Sequence, residues 1–250
     1  MTTTPQRKLG WYHVGFAGWL VLFALLLAMH WYPIRFGTLR LVMAVGVALW
    51  WLGALGLTWR YTAIKRILLT VSAAFILFLV FPSRPPDPQK LREEYVRALQ
   101  SYDGTVYVWG GESRRGIDCS GLMRCALIDT NVKLGLTTLN PGLLREAFAL
   151  WWNDSSAKAM KEEFQGKTRF LQTSPDLNQL YHGAIEPGDM AVTSNGVHVL
   201  AYVGNQTWIE ADPSELQGNK VVQVKLPSRI AWFTTPVHLM RWRQLEADGE

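Results

Sequence analysis

The sequence predicts an α+β domain, helices packed on an antiparallel sheet, behind a transmembrane helical region. Three observations predict it. From Trp11 to Phe81 the chain is mostly apolar, whereas beyond Pro82 it has the mixed composition of a globular domain. The stretch PSRPPDPQ, from Pro82 to Gln89, forms a stiff connector between the two parts. Beyond it, helical periodicity comes first and a run of short β-patterned segments follows, the order expected of an α+β fold. The division is therefore 1–82 transmembrane, 83–90 linker and 91–250 globular domain, with a helical insertion near 140–167.

The membrane part has three apolar segments, Val14 to Met29, Leu41 to Trp59 and Ile67 to Phe81. Crossing a bilayer takes about 20 helical residues. The first two segments reach that length with their aromatic ends, while the third is shorter and draws on Lys65 and Arg66. Trp11, Tyr12, Trp31, Tyr32 and Trp59 fall where interfacial aromatic belts are expected. Repeated spans argue against a cleaved signal peptide. Arg7, Lys8, Arg60, Lys65 and Arg66 outweigh Arg35, Arg40, Arg84 and Lys90, which places the first set in the cytoplasm. Three crossings then put the globular domain outside the cytoplasm, and two would reverse the result. Ala44 and Ala48 have the small-xxx-small spacing that lets helices approach. Part of the net charge of +5 comes from residues flanking these spans. No basic block interleaved with aromatics points to nucleic acid.

In the globular part, Asp87 and Pro88 form a cap and first-turn pair. Leu91, Tyr95, Val96 and Leu99 then keep helical spacing to about Gln100, before Gly104. TVYVW, 105–109, alternates as a strand until Gly110 and Gly111 break it. CSGLMRCALI after Asp118 is apolar on most faces, which predicts a buried helix with Arg124 reaching solvent. Asn140 and Pro141 open a helix with Leu143, Leu144, Ala147, Phe148 and Trp151 on one face. The polar stretch 153–167 reads as an exposed helix, and EPGDMAV as a turn entering a strand. VHVLAYVG, TWIEAD and KVVQVKL read as three antiparallel strands.

Two cysteines make no disulfide framework. Cys125 sits inside its helix as a small buried residue. Cys119 stands at the first turn of that helix, behind Asp118 as cap. There, unpaired N–H groups and the helix dipole favour a thiolate. Burial as a plain core thiol is the competing reading. Gly110, Gly111 and Gly121 would leave room for a substrate backbone. Of the five histidines, His13 and His30 belong to the membrane part, His182 to a loop, and His238 to the region near the C-terminal end. His198 remains as the base, in a strand face shared with Leu200 and Tyr202. Glu210 and Asp212 lie on one face of the next strand, so parity does not choose between them as the group that orients the imidazole. Arg114 and Arg115 precede the nucleophile, either solvated or placed to meet a substrate carboxylate. No ligand set with zinc spacing accompanies these residues, so no metal is expected.

YVWGG, DCSGL, EPGD and HVLAYVGNQTWIEA, in that order, resemble the NlpC/P60 family of papain-like cysteine peptidases, over roughly Gln89 to Pro213. The resemblance implies a papain-like fold with Cys119 as nucleophile, His198 as base and Glu210 in the third position. That position more often holds His, Asn or Gln. Glutamate is a departure, which keeps Asp212 as a rival and brings in the related CHAP amidases with their acidic partners. The resemblance further implies that Tyr107, Asp118 and Ser120 line a subsite for a free amino terminus. The implied substrates are stem peptides of bacterial peptidoglycan, cut through an acyl-enzyme with no cofactor. The implied location is the bacterial inner membrane, multi-pass, with the catalytic domain on the periplasmic side. An acyltransferase or amidase of the same superfamily, or a degenerate domain binding wall peptides or a partner, are the alternatives. The segment between Cys119 and Pro187 is longer than the usual family spacing, and Trp151 and Trp152 within it suggest a lid or docking face.

Overall fold

In a computed structural model, which describes residues 6–246, the chain divides into two compact units. One comprises the chain up to Tyr32 together with Phe36–Phe81; the other comprises Pro33–Arg35 and the chain from Pro82 onward.

The first unit holds α1 (Gln6–Trp31), α2 (Gly37–Thr58) and α3 (Thr62–Val80). All three are long and apolar enough to cross a membrane, and α3 gains its length by starting at Thr62 and including Lys65 and Arg66. Trp19 stacks on Trp50 with ring centroids 5.0 Å apart, and its indole N–H donates to the Trp50 carbonyl at 2.8 Å. The close approaches occur at Gly46, against Leu26, and at Gly53, against Trp19, while Ala48 is exposed. Small residues do admit neighbouring helices, here at these two glycines.

In the second unit, α4 (Pro88–Gln100) starts at Asp87, whose carboxylate accepts the N–H groups of Gln89 and Lys90. A two-residue hairpin, β1 (Glu112–Ser113) and β2 (Gly116–Ile117), leads into α5 (Cys119–Thr137). Next come α6 (Pro141–Trp152), capped by Asn140, and the short α7 (Ala157–Lys161). The strands are β3 (Thr168–Ser174), β4 (Met190–Thr193), β5 (Val199–Gly204), β6 (Thr207–Ala211), β7 (Val221–Lys225) and β8 (Val237–Trp242). They form one antiparallel sheet in the order β3-β8-β4-β5-β6-β7. Asn205 and Gln206, at φ of 53° and 56°, make the left-handed two-residue turn between β5 and β6 that matches strand twist.

Alternation along the strands splits the core. Val199, Ala201, Ile209 and Ala211 join α4 and α5 residues such as Tyr95, Leu122 and Met123 in one cluster. Leu200, Tyr202 and Trp208 join Leu177, Phe233 and Leu239 in the other. The α+β class and the antiparallel sheet are as expected, but four local expectations need correction. TVYVW is not a strand: Val106 and Tyr107 make single bridges to Lys220 and Ile117, because Gly110 and Gly111 turn the chain away before a ladder can extend. Arg124 is buried, since the first half of α5 is enclosed all round, and it pairs with Glu112 and Asp154. Phe148 is exposed, and Leu150 takes its place beside Leu143 and Ala147. Residues 153–167 hold only α7 and one 3-10 turn, with Ala157, Met160 and Phe164 turned inward.

The aspartate of EPGD is a structural anchor. Asp189 is fully buried and accepts from Arg241 Nε at 2.7 Å and Nη2 at 2.8 Å, tying β4 to β8. It also accepts the Glu186 N–H at 2.8 Å, which closes the turn. Removing one partner of a buried ion pair strands the other. Asp189→Ala is expected to cost about 3 kcal/mol, read by denaturant unfolding of the full chain in detergent; an unchanged midpoint would show that the pair carries no stability.

Candidate active site

The position of Cys119 is set by backbone first. Asp118 caps α5: one carboxylate oxygen accepts the Gly121 N–H at 2.6 Å and the Ser120 hydroxyl at 3.0 Å. The other accepts the Gly110 N–H at 2.9 Å. In return the Asp118 N–H donates to the Gly111 carbonyl at 3.1 Å. A Cβ at Gly121 would overlap that carbonyl oxygen, and one at Gly111 would overlap Gly116. These glycines therefore let the hairpin and helix touch, and the space expected for a substrate backbone at Gly111 and Gly121 is filled by the protein itself. Burial pushes the Asp118 carboxyl up, with its three hydrogen bonds pulling back. Cys119 is the first residue of α5, where backbone N–H groups lack helical partners. Its thiol and that of Cys125 are both free and buried. Burial pushes the Cys125 thiol up to about 12, which leaves it protonated at neutral pH.

His198 precedes β5 by one residue, in the turn from β4. Its N–H donates to Thr193 Oγ1 at 3.0 Å and its carbonyl accepts the Thr193 N–H at 3.0 Å, so the backbone is clamped before the side chain begins. The ring Nε2 lies 2.6 Å from Glu210 Oε2 on β6, and Cys119 is close enough to act electrostatically on the ring. With Nε2 taken, Nδ1 is the nitrogen left open. Burial by itself would favour the neutral ring; interactions with Cys119 and Glu210, and their negative charge, prevail and push His198 up to about 9. Glu210 is fully buried and is pushed up by that burial, with His198 opposing it and Asp212 adding to it. Trp232 stacks on the imidazole with centroids 4.4 Å apart and planes 18° from parallel.

The geometry thus brings together Cys119, His198 and Glu210, and it separates the two carboxylates that parity left equal. Asp212 lies just past β6, and one of its oxygens accepts the Ser214 N–H at 2.7 Å. Tyr107 is half-buried beside this cluster; burial, then the negative charge of Cys119, Asp118 and Asp212, holds its hydroxyl protonated. Asp118 and Ser120 are engaged with each other and with the helix cap. Arg114 is exposed, as the solvated reading expects, and is tied to α4 and the turn after it. It donates to the Ser101 carbonyl at 2.9 Å and lies over the Tyr102 ring at 4.4 Å. Sequence reasoning missed Trp232; an aromatic 34 positions after His198 in an irregular stretch carries no periodic signal.

Residues 104–232 match the model of the NlpC/P60 family, slightly more than half of the chain. None of the curated proteins matches. Among solved structures, NlpC1 from Trichomonas vaginalis is similar over 60% of this chain and 43% of its own, at 20% identity and a TM-score of 0.39. NlpC2 from the same organism is similar over 61% of this chain and 46% of its own, at 20% identity and a TM-score of 0.38. The chain thus spans less than half the length of either. The NlpC/p60 domain of the peptidoglycan hydrolase SagA is similar over 59% of this chain and 97% of its own, at 22% identity and a TM-score of 0.33.

The His198 environment makes stability depend on pH with a definite sign. The folded-state value of about 9 lies above the unfolded value of about 6.5. The stabilisation is complete below the lower value and is lost as pH rises through the upper one. Unfolding midpoints of the full chain should fall between pH 6.5 and 9, by an amount on the order of 1–3 kcal/mol, and Glu210→Gln should flatten that slope. A flat wild-type profile across this window would contradict the charged pair.

Proposed function

The chain belongs to the NlpC/P60 family, and on that premise we propose that it is a membrane-anchored cysteine hydrolase opening amide bonds in peptidoglycan stem peptides. The observation that carries the reading is the alignment of a helix-tip thiol, a buried imidazole and a buried carboxylate, with His198 Nε2 at 2.6 Å from Glu210. The Cys119 sulfur attacks the amide carbonyl carbon, and the C=O electron pair moves onto oxygen. Unpartnered N–H groups of the first turn of α5 are the available donors for that oxyanion. Collapse of the intermediate breaks the C–N bond, and His198 supplies the proton that the departing amine needs. Water, deprotonated by the now neutral ring, then cleaves the thioester and restores the thiol pair. Glu210 keeps the ring oriented and balances its positive charge throughout. Tyr107, Asp118 and Ser120 form the wall beside the nucleophile, where the amino end of a stem peptide would lie.

For location, the reading is a multi-pass protein of the bacterial inner membrane with its catalytic domain outside the cytoplasm. The distribution of basic residues favours it. So does the packing of Pro33–Arg35 within the second unit, where Ile34 bridges Gly111 and the Pro33 carbonyl accepts the Glu112 N–H at 2.9 Å. An odd number of crossings leaves the segment after α1 and everything after α3 on one side; two crossings do not.

The test is mass spectrometry of muropeptides incubated with the purified full chain. Cys119→Ala should abolish product while the protein remains folded, and retained turnover would remove the mechanism. Glu210→Gln should lower kcat/KM by roughly 10²-fold or more, with Asp212→Asn costing less; the reverse ranking would move the third role to Asp212.

A further inference from the structure

Trp232 has no part in the chemistry described so far, yet it covers a face of the base. Its ring lies 4.4 Å from that of His198, 18° from parallel, and His198 is only 2% exposed. One nitrogen edge of the imidazole, Nε2, is tied to Glu210, and the charge of Cys119 acts on the ring as well. What remains free to tilt the ring is motion perpendicular to its plane, and that is the direction the indole blocks.

The indole is itself held. It sits on the 3-10 turn Ala231–Phe233, whose Phe233 side chain is fully buried in the second core cluster. The Phe233 carbonyl accepts the Leu177 N–H at 3.1 Å, and Thr235 Oγ1 donates to the Ala231 carbonyl at 2.8 Å. Asn178 ties the same loop from outside, donating to the Ser228 carbonyl at 3.0 Å and accepting the Ser228 N–H at 2.8 Å. A loop with no regular ladder of its own is thus pinned at both ends of the residue that meets the base.

We propose that Trp232 is a positioning residue of the reaction: its indole face fixes the plane of the His198 ring for Cys119 and Glu210 and favours the protonated imidazole. The inference rests on the cysteine hydrolase reading. An indole face is the strongest aromatic partner for a cation, and the attraction grows where water is excluded. The charged and titratable groups facing His198 are Cys119 from α5 and Glu210 from β6, with Asp212 next to Glu210. Trp232 adds no charge to that set. It adds a quadrupole over the one species, imidazolium, that must persist until the amine departs.

The experiment is the pH dependence of iodoacetamide alkylation of the full chain in detergent, with the rate in Cys119→Ala subtracted. Wild type should show two transitions, the upper one marking loss of the imidazolium proton. In Trp232→Leu, which keeps bulk but removes the ring, the upper transition should fall by about one pH unit. Trp232→Phe should recover at least half of that shift. Chain grown with 5-fluorotryptophan keeps the shape and weakens the quadrupole, so its upper transition should also fall, which covers the case of a leucine variant that does not fold. An upper transition unmoved in either the folded leucine variant or the fluorinated chain overturns the inference and leaves the hydrolase reading intact. No Cys119-dependent alkylation in wild type would instead overturn the hydrolase reading, and this inference with it.

Discussion

A carboxylate with no exposed surface, bonded to one imidazole nitrogen and leaving the other open, is the constraint on which the site depends. Burying a lone carboxylate is costly unless it is paired or protonated. Glu210 meets that demand through one oxygen, at 2.6 Å from His198, and among the described residues its second oxygen has no hydrogen-bond partner. The stabilisation of Glu210 is therefore concentrated on one proton between Oε2 and Nε2. That concentration fixes the tautomer: whichever form His198 takes, Nε2 carries the hydrogen and Nδ1 is the nitrogen left open.

The rest of the fold delivers the partners to that contact. β5 and β6 are neighbours joined by a two-residue turn, so the residue just before β5, His198, lies beside β6, where Glu210 reaches it. Cys119 arrives from another direction, through the Asp118 cap and the glycine contact between hairpin and helix. The Asp189 and Arg241 pair, away from the chemistry, keeps β4 and β8 together, and β4 supplies the Thr193 that clamps the backbone of His198.

What was legible in the sequence follows from the range of the interactions involved. Caps at Asp87, Asp118 and Asn140 are local, and each accepts the backbone N–H groups its position implies. β5, β6 and β7 were legible because their patterning is undisturbed. β3 and β8 were not, and β8 shows why. Its Arg241 looks like a solvated residue until Asp189, 52 positions away, neutralises it. Arg124 was misjudged for the same reason, since Glu112 and Asp154 come to it from outside its helix. Glu210 and Asp212 share a face by parity, and only the chain's exit from β6 after Ala211 distinguishes them. Strands encode faces; they do not encode where a ladder stops.

Glutamate at position 210 has an electrostatic consequence that His, Asn or Gln would not. With a neutral third group, a thiolate and an imidazolium sum to zero charge. With Glu210 ionised they sum to one negative charge, in a site that already holds Asp118 and the fully buried Asp212. Repulsion among these carboxylates is relieved by any arrangement that keeps a proton on His198. Burial of the ring acts against that proton, and the contacts at its edges act for it. An indole laid over the ring face is the remaining way to favour a cation without admitting water or adding another ion. The same geometry that makes the third position more negative thus makes a face-on aromatic at His198 more valuable, and the two features are best understood as one electrostatic arrangement.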